Sequence, residues 1–230
     1  MHEGPNTTSF SRFDRRTLSD SLTMAVQERQ DTLERITALL KRSVNGEHPV
    51  VLMTCGIAAS GKTTLTKAVV AELPSFTRVS IDEIIFEKHG LYGVDYPADD
   101  TLYQQYQEEA DEIYLDTFRK LLRENNDIVL DRSFYAKEDR DDFKQMVEDG
   151  SGRWVLVYLK ACSKEGLWDR ICERSAKGKR PNSNLDISRD TFERYWDGFE
   201  EPQNEGEVVI EVCRELDRFN SKKDVECCMI

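Results

Sequence analysis

Gly56-Ile57-Ala58-Ala59-Ser60-Gly61-Lys62-Thr63 sets two glycines, a lysine and a hydroxyl at the spacing G-x-x-x-x-G-K-[ST]. These residue types in this order suit one task, the holding of a polyphosphate. The glycines let the backbone turn tightly, so successive N–H groups point inward around anionic oxygens. A helix beginning just after the loop adds its positive end to the same anion. Lys62 can reach the β- and γ-phosphates, and the Thr63 hydroxyl can ligate Mg²⁺. Gly56, Ala59, Ser60, Gly61, Lys62, Thr63 and Thr64 therefore form the expected nucleotide-binding set. The motif needs a strand before it and a helix after it. Val50 to Cys55 is an apolar, β-branched run that reads as a buried strand, and Thr64 to Leu73 reads as the helix. An ordinary glycine-containing strand-to-helix turn is the bland alternative, and the full motif in this setting argues against it.

A phosphate loop does not separate kinases from ATPases or switch GTPases; the acids around it do. Asp131 ends the apolar run Ile128-Val129-Leu130, the Walker-B arrangement, in which the carboxylate holds the metal directly or through water. The bland alternative is a carboxylate capping a strand end. Asp82 follows Ser80-Ile81 at the end of a second expected strand. In a parallel sheet that strand opens on the carboxyl edge where ligands bind. There Asp82 could accept the proton of an attacking hydroxyl. Local pattern supports an N-cap for a helix from Glu83 onward almost equally. Lys177, Lys179 and Arg180 lie in a polar, basic loop, whose bland reading is a solvated one. The guanine-reading segment Asn-Lys-x-Asp is absent, which counts against a GTPase.

The elements that must position these residues follow in order. Residues 1–16 are polar and without periodicity. Thr17 to Val44 carries Leu18, Leu22, Val26, Leu33, Ile36 and Leu40 at three- and four-residue steps. The stripe is narrow and suits a helix packed on the domain's flank better than a dimerising coil, because it covers barely three heptads. After Pro74 the pattern gives a strand from Phe76 to Ile81. A turn-rich, aromatic stretch from His89 to Pro97 follows, a loop that could cover a substrate. Asp99 or Asp100 caps a helix from Thr101 to Arg123, and Asp127 to Asp131 is a strand. A polar helix at Lys137 to Val147, a strand at Trp154 to Leu159 and a Ser163-capped helix to Arg174 come next. A Ser188-capped helix and a last strand at Glu207 to Val212 complete the pattern. Strands alternating with helices mean a parallel sheet covered on both faces, an α/β domain. The expected organisation is a tail and helix over 1–46, the domain over 47–216 and a tail over 217–230.

Charged residues make up 33% of the 230 residues and apolar ones 39%, as in a soluble globular protein. The formal net charge of −12 disfavours bulk nucleic acid and anionic membranes as partners. Neither a signal region nor a membrane span is apparent, and the six cysteines show no metal-ligand spacing. They read as reduced thiols in a cytoplasmic protein. Cys227-Cys228-Met229-Ile230 has the C-a-a-X layout of a prenylation signal. A second cysteine, an atypical terminal Ile and only Lys222-Lys223 upstream favour a plain tail.

Taken together, several segments resemble one family: the loop with Lys62-Thr63, Ser80-Ile81-Asp82, Ile128 to Asp131, Arg170 to Arg174 with Lys179-Arg180-Pro181, and Arg194 to Pro202. These are similar to P-loop kinases described as AAA-like ATP-binding domains, relatives of zeta toxin, chloramphenicol phosphotransferase and the kinase half of polynucleotide kinase. The similarity runs from about Pro49 to Val212. It implies a P-loop NTPase three-layer sandwich, a five-stranded parallel sheet ordered 2-3-1-4-5 and a helical lid. It further implies ATP and Mg²⁺, with transfer of the γ-phosphate to a hydroxyl. Lys62, Asp82, Arg174 and Arg180 would be catalytic, Asp82 as base and the arginines on the lid. Thr63 and Asp131 would hold the metal. Many relatives carry arginine three residues after the acid, where this chain has Ile85, which weakens the case for phosphorylated or nucleic-acid acceptors; Arg132 is the nearby cation that could stand in. A small-molecule kinase is the first reading. A regulatory ATP-binding or ATP-hydrolysing module comes second, and a polynucleotide 5′-kinase third.

Overall fold

The computed structural model describes residues 27–42, 48–178 and 187–213. Arg180, the chain before residue 27 and the Cys227 motif lie outside these residues. The elements are α1 (27–39), β1 (Val50–Cys55), α2 (Lys62–Glu72), β2 (Phe76–Ser80), α3 (Ile81–His89) and α4 (Asp100–Arg123). They continue with β3 (Asp127–Asp131), α5 (Lys137–Asp149), β4 (Arg153–Ala161), α6 (Lys164–Ala176), α7 (Arg189–Asp197) and β5 (Val208–Val212). The sheet has the order β2-β3-β1-β4-β5, and every pairing is parallel. This is the three-layer α/β arrangement expected of a P-loop NTPase. Among the described residues no helix is long and apolar enough to cross a membrane.

Alternation along β1 builds both faces at once, because successive side chains of a strand point to opposite sides. Val51, Met53 and Cys55 enter one core with Ile128, Leu130, Leu156, Tyr114, Phe118 and Phe143, under α4 and α5. Val50 and Leu52 enter the other with Val69, Val129 and Val157, under α1 and α2. Ile36 and Leu40 belong to that second core and are 0% and 1% exposed. Each such buried aliphatic side chain contributes about 1.5–3 kcal/mol of transfer free energy. Arg42 bonds Asp127 at 2.9 Å, and Arg153 donates to the carbonyls of Leu39 and Lys41, fastening the end of α1 to the base of the sheet.

Two expectations change. Asp82 lies within the first turn of α3 rather than at a strand tip, because β2 ends at Ser80 and the helix starts immediately. The alternative reading, a helix at this point, is the one found, and it starts at Ile81, two residues before Glu83. Cys162 and Cys213, read as reduced thiols, form a disulfide with a Cα separation of 5.1 Å. They follow β4 and β5, which pair in register Ala161↔Val212 and so bring the two residues side by side. Cys55 and Cys172 are free.

Candidate active site

The phosphate loop leaves β1 at Gly56, whose N–H donates 3.0 Å to the carbonyl of Ser133 just beyond β3. Gly56 has φ +144°, and a Cβ there would stand 2.9 Å from the carbonyl oxygen of Leu159, so glycine is required. Ala59 and Gly61 also take positive φ, 64° and 100°, which bends the backbone into a concave turn. Gly61 caps α2 without a side chain, and no acidic residue stands in the helix's first turn. The positive end of α2 is thus left for an external anion. The Ser60 hydroxyl is buried and has no hydrogen-bond partner among the described residues, a further unspent polar group in the loop. Lys62 lies across the loop's mouth, its Nζ donating to the carbonyls of Gly56 at 2.8 Å and Ile57 at 2.9 Å. Burial pulls the Lys62 ammonium below its ordinary value, against the attraction of Asp131 and Asp82. Thr64 is exposed at the first turn. These features fit a polyphosphate.

Register sets the acids. Ser80 pairs with Asp131 across β2 and β3, so the ends of both strands meet at one place on the carboxyl edge. Asp131 is 7% exposed. The Thr66 hydroxyl lies 3.1 Å from both the Thr63 carbonyl and Asp131 Oδ2, so Thr63 and Asp131 flank a single hydroxyl of α2. A hydroxyl and a carboxylate are oxygen donors of the kind a hard divalent cation takes. The Thr63 hydroxyl and the Asp131 carboxylate are thus of the donor type that would hold Mg²⁺. Asp82 is half-buried, and its carboxyl is raised above the usual range by burial first and by repulsion from Asp131 second. Lys62, Arg174 and Arg78 pull it back. Arg174, near the end of α6, is drawn below its ordinary value by burial while Asp82 holds its charge. Lys62, Asp131 and Arg174 thus all act electrostatically on Asp82, which lies two residues beyond the Ser80 that pairs with Asp131.

Arg78, in β2, is the site residue that sequence reasoning missed. Its Nη2 donates to Asp131 Oδ2 at 2.5 Å and its Nη1 to Glu83 at 2.6 Å. The available signal was an arginine alternating with apolar residues inside a strand, where a buried charge demands a partner. Arg132, the cation next to Asp131, has partners of its own. Its guanidinium bonds Asp111 on α4 at 2.7 Å and lies over the rings of Tyr114 and Phe143. Ile85 is buried in a cluster with Tyr92, Tyr96, Tyr103 and Ala110. The stretch after α3 is packed rather than draped: Tyr92 and Tyr96 meet edge to face at 5.8 Å, and His89 stacks on Tyr106 at 3.5 Å. Tyr103 borders Asp82, since burial and then the Asp82 charge push its phenol upward.

α6 and α7 lie directly on the loop. Leu167, Ile171 and Phe192 form a small core with Ile57, Ala58 and Ala59, so movement of this pair is mechanically linked to the phosphate site. Arg189 joins the two helices through both oxygens of Glu165, at 2.9 and 2.7 Å. Among the described residues the one cluster of three metal-type donors is Cys162, Glu211 and Cys213, where the two sulfurs are bonded to each other.

Residues 51–202 match the family AAA_33, an AAA domain. No curated protein matches the sequence. Among solved structures, a candidate kinase from Chloroflexus aurantiacus J-10-fl is similar, with 18% identity and a TM-score of 0.56 over 77% of this chain and 97% of that one. Kti12 from Chaetomium thermophilum, solved in complex with ADP-AlF3, is similar at 14% identity with a TM-score of 0.51, over 79% of this chain and 100% of that one. At such identities the likeness is one of fold, and it agrees with the sheet order and loop described above. With two thirds of its length matched to the family and this sheet around a phosphate loop, the chain belongs to the AAA_33 family of AAA domains.

Proposed function

We propose that the protein is a kinase that transfers the γ-phosphoryl group of ATP to a hydroxyl of a small molecule. The observation that supports this most is the electrostatic action of Lys62, Arg174 and Asp131 on Asp82. A nucleotide-binding module needs the lysine and a metal-binding acid. A second carboxylate, half-buried and under the charge of an arginine, is what proton removal and phosphoryl transfer call for.

In this reading the loop N–H groups and Lys62 hold the β- and γ-phosphates. Thr63 and Asp131 hold Mg²⁺, which when bound neutralises charge on the β- and γ-oxygens. Asp82 takes the proton of the acceptor hydroxyl as that oxygen bonds to the γ-phosphorus and the bond to the ADP oxygen breaks. Arg174 offsets charge on the phosphoryl oxygens, and Arg180 would join it from the α6–α7 connection. An elevated carboxyl pKa makes Asp82 a better base near neutral pH than an ordinary aspartate. Kti12, similar in fold, was solved in complex with ADP-AlF3, which is consistent with nucleotide binding at such a loop. A polynucleotide acceptor fits less well, because Ile85 is buried among tyrosines and Arg132 is engaged by Asp111.

The test is a screen of metabolites with purified protein and labelled ATP, repeated with Asp82→Asn. The expected outcome is a product heavier by one phosphate, with turnover falling about 10²–10⁴-fold in the variant while ATP affinity is retained. Unchanged ATP turnover in D82N, with no acceptor found, would instead identify a regulatory ATP-hydrolysing module. Transfer of label to a 5′-hydroxyl oligonucleotide would make it a polynucleotide kinase.

A further inference from the structure

Arg78 belongs to no part of the phosphate-loop motif, yet its guanidinium sits between two elements that carry the site's acids. Its side chain is 7% exposed, and that of Asp131 is 4% exposed. Three polar contacts converge on one oxygen, Asp131 Oδ2: Arg78 Nη2 at 2.5 Å, Arg78 Nε at 3.2 Å and the Thr66 hydroxyl at 3.1 Å. Arg78 Nε also reaches Thr66 Oγ1 at 3.1 Å, so the arginine, the threonine and the carboxylate form a closed triangle. No donor among the described residues reaches Oδ1. On its other side the guanidinium holds Glu83 at 2.6 Å, the residue next to Asp82 in the first turn of α3.

A planar guanidinium presents several donors in a fixed fork, which an ammonium on a flexible stem cannot reproduce. Such outer partners fix the orientation of metal-binding carboxylates, and their loss typically costs about 10–100-fold in metal affinity. We propose that Arg78 is a positioning residue for Asp131: by occupying Oδ2 it fixes the carboxylate so that Oδ1 alone is offered to the metal of a bound Mg-nucleotide. Through Glu83 the same guanidinium sets the α3 turn against that carboxylate. The assignment rests on the reading of Asp131 as a metal-binding acid.

The experiment measures the coupling between metal and nucleotide: the ratio of AMPPNP dissociation constants in EDTA and in saturating Mg²⁺, by calorimetry, with thermal melts alongside. Arg78→Lys keeps the charge and removes the fork, so the field on the nucleotide is preserved and orientation is what changes. The expected result is a fall in coupling of about tenfold or more in R78K. Glu83→Gln, which leaves the Asp131 contacts in place, should retain the wild-type ratio. Wild-type coupling in a folded R78K would reduce Arg78 to a structural tie and overturn the proposal. If R78K melts below the assay temperature, Arg78→Gln, measured at a temperature where it is folded, takes its place: loss of coupling supports the proposal and an unchanged ratio overturns it. Wild-type protein that binds AMPPNP without any help from Mg²⁺ would instead remove the metal reading of Asp131 on which the proposal stands.

Discussion

Gly56 has the narrowest tolerance in the loop, because both its backbone angle and its surroundings exclude a side chain. A Cβ at φ +144° would press on Ser60 Oγ at 2.8 Å and on the rigid carbonyl of Leu159 at 2.9 Å. Gly56→Ala should cost about 1–3 kcal/mol in chemical denaturation and weaken nucleotide binding in the same preparation. Asp82 gives a prediction of a different kind. Its carboxyl titrates above the ordinary 3.8 because burial and Asp131 oppose its charge, and a base must be ionised to act. The rate of phosphoryl transfer should therefore fall as pH drops through that raised value. The acid limb of the pH–rate profile should lie above the usual aspartate range, and it should vanish in Asp82→Asn together with the residual rate's dependence on pH. These two residues were legible to different degrees. Gly56 is fixed by a spacing rule. Asp82 was named from its place after a β-branched run, while its helical position depends on where β2 stops.

The helices owe their starting points to short-range chemistry, and here sequence and structure agree closely. Asp99 accepts from the Leu102 N–H at 2.9 Å, one of the two aspartates expected to cap there, and Ser163 from Gly166 at 3.0 Å and Ser188 from Thr191 at 3.1 Å cap as expected. Such caps satisfy an N–H that the first turn of a helix cannot pair internally. Ser163→Ala should cost about 1 kcal/mol, read as a shift in the denaturation midpoint. Because α6 carries Arg174 and rests on Ile57 to Ala59, the same variant should loosen the nucleotide site, seen as faster amide exchange in the loop. α3 was the element least visible in advance. Its isoleucines serve both a strand pattern and a helix, and only the packing of Ile85 against the tyrosines of α4 decides between them.

At the scale of the whole molecule, one buried ion cluster joins α5 to the approach to β5. Arg140 is fully buried and holds Glu205 at 2.8 and 2.7 Å, and Lys144 adds a bond at 3.1 Å. Arg140 also donates 2.9 Å to the carbonyl of Phe134, which steadies the segment whose Ser133 carbonyl receives the Gly56 N–H. The Arg140 bond holds the Glu205 carboxyl down at about 2, against 4.5 for the free group. The difference corresponds to about 3 kcal/mol, present above the unfolded-state value and lost as pH falls from about 4.5 towards 2. Denaturation between pH 7 and 2.5 should show this loss. Glu205→Gln should be less stable at neutral pH and nearly free of this part of the pH dependence.

What the sequence alone determined was whatever short-range rules govern: the phosphate loop at Gly56 to Thr63, the capping residues, the alternation that buries β1 on both faces, and the βα rhythm that makes the sheet parallel. What the tertiary structure decided was every partnership between distant residues. Arg78 meets Asp131 across 53 positions, Arg140 meets Glu205 across 65, and Cys162 meets Cys213 across 51. It also paired Arg132 with Asp111 on α4. The reason is physical. A cap or a tight turn is satisfied by atoms a few residues away, so its chemistry is written locally. A buried charge or a paired thiol is satisfied by whichever residue strand register and helix packing bring alongside, and those are set by the fold as a whole.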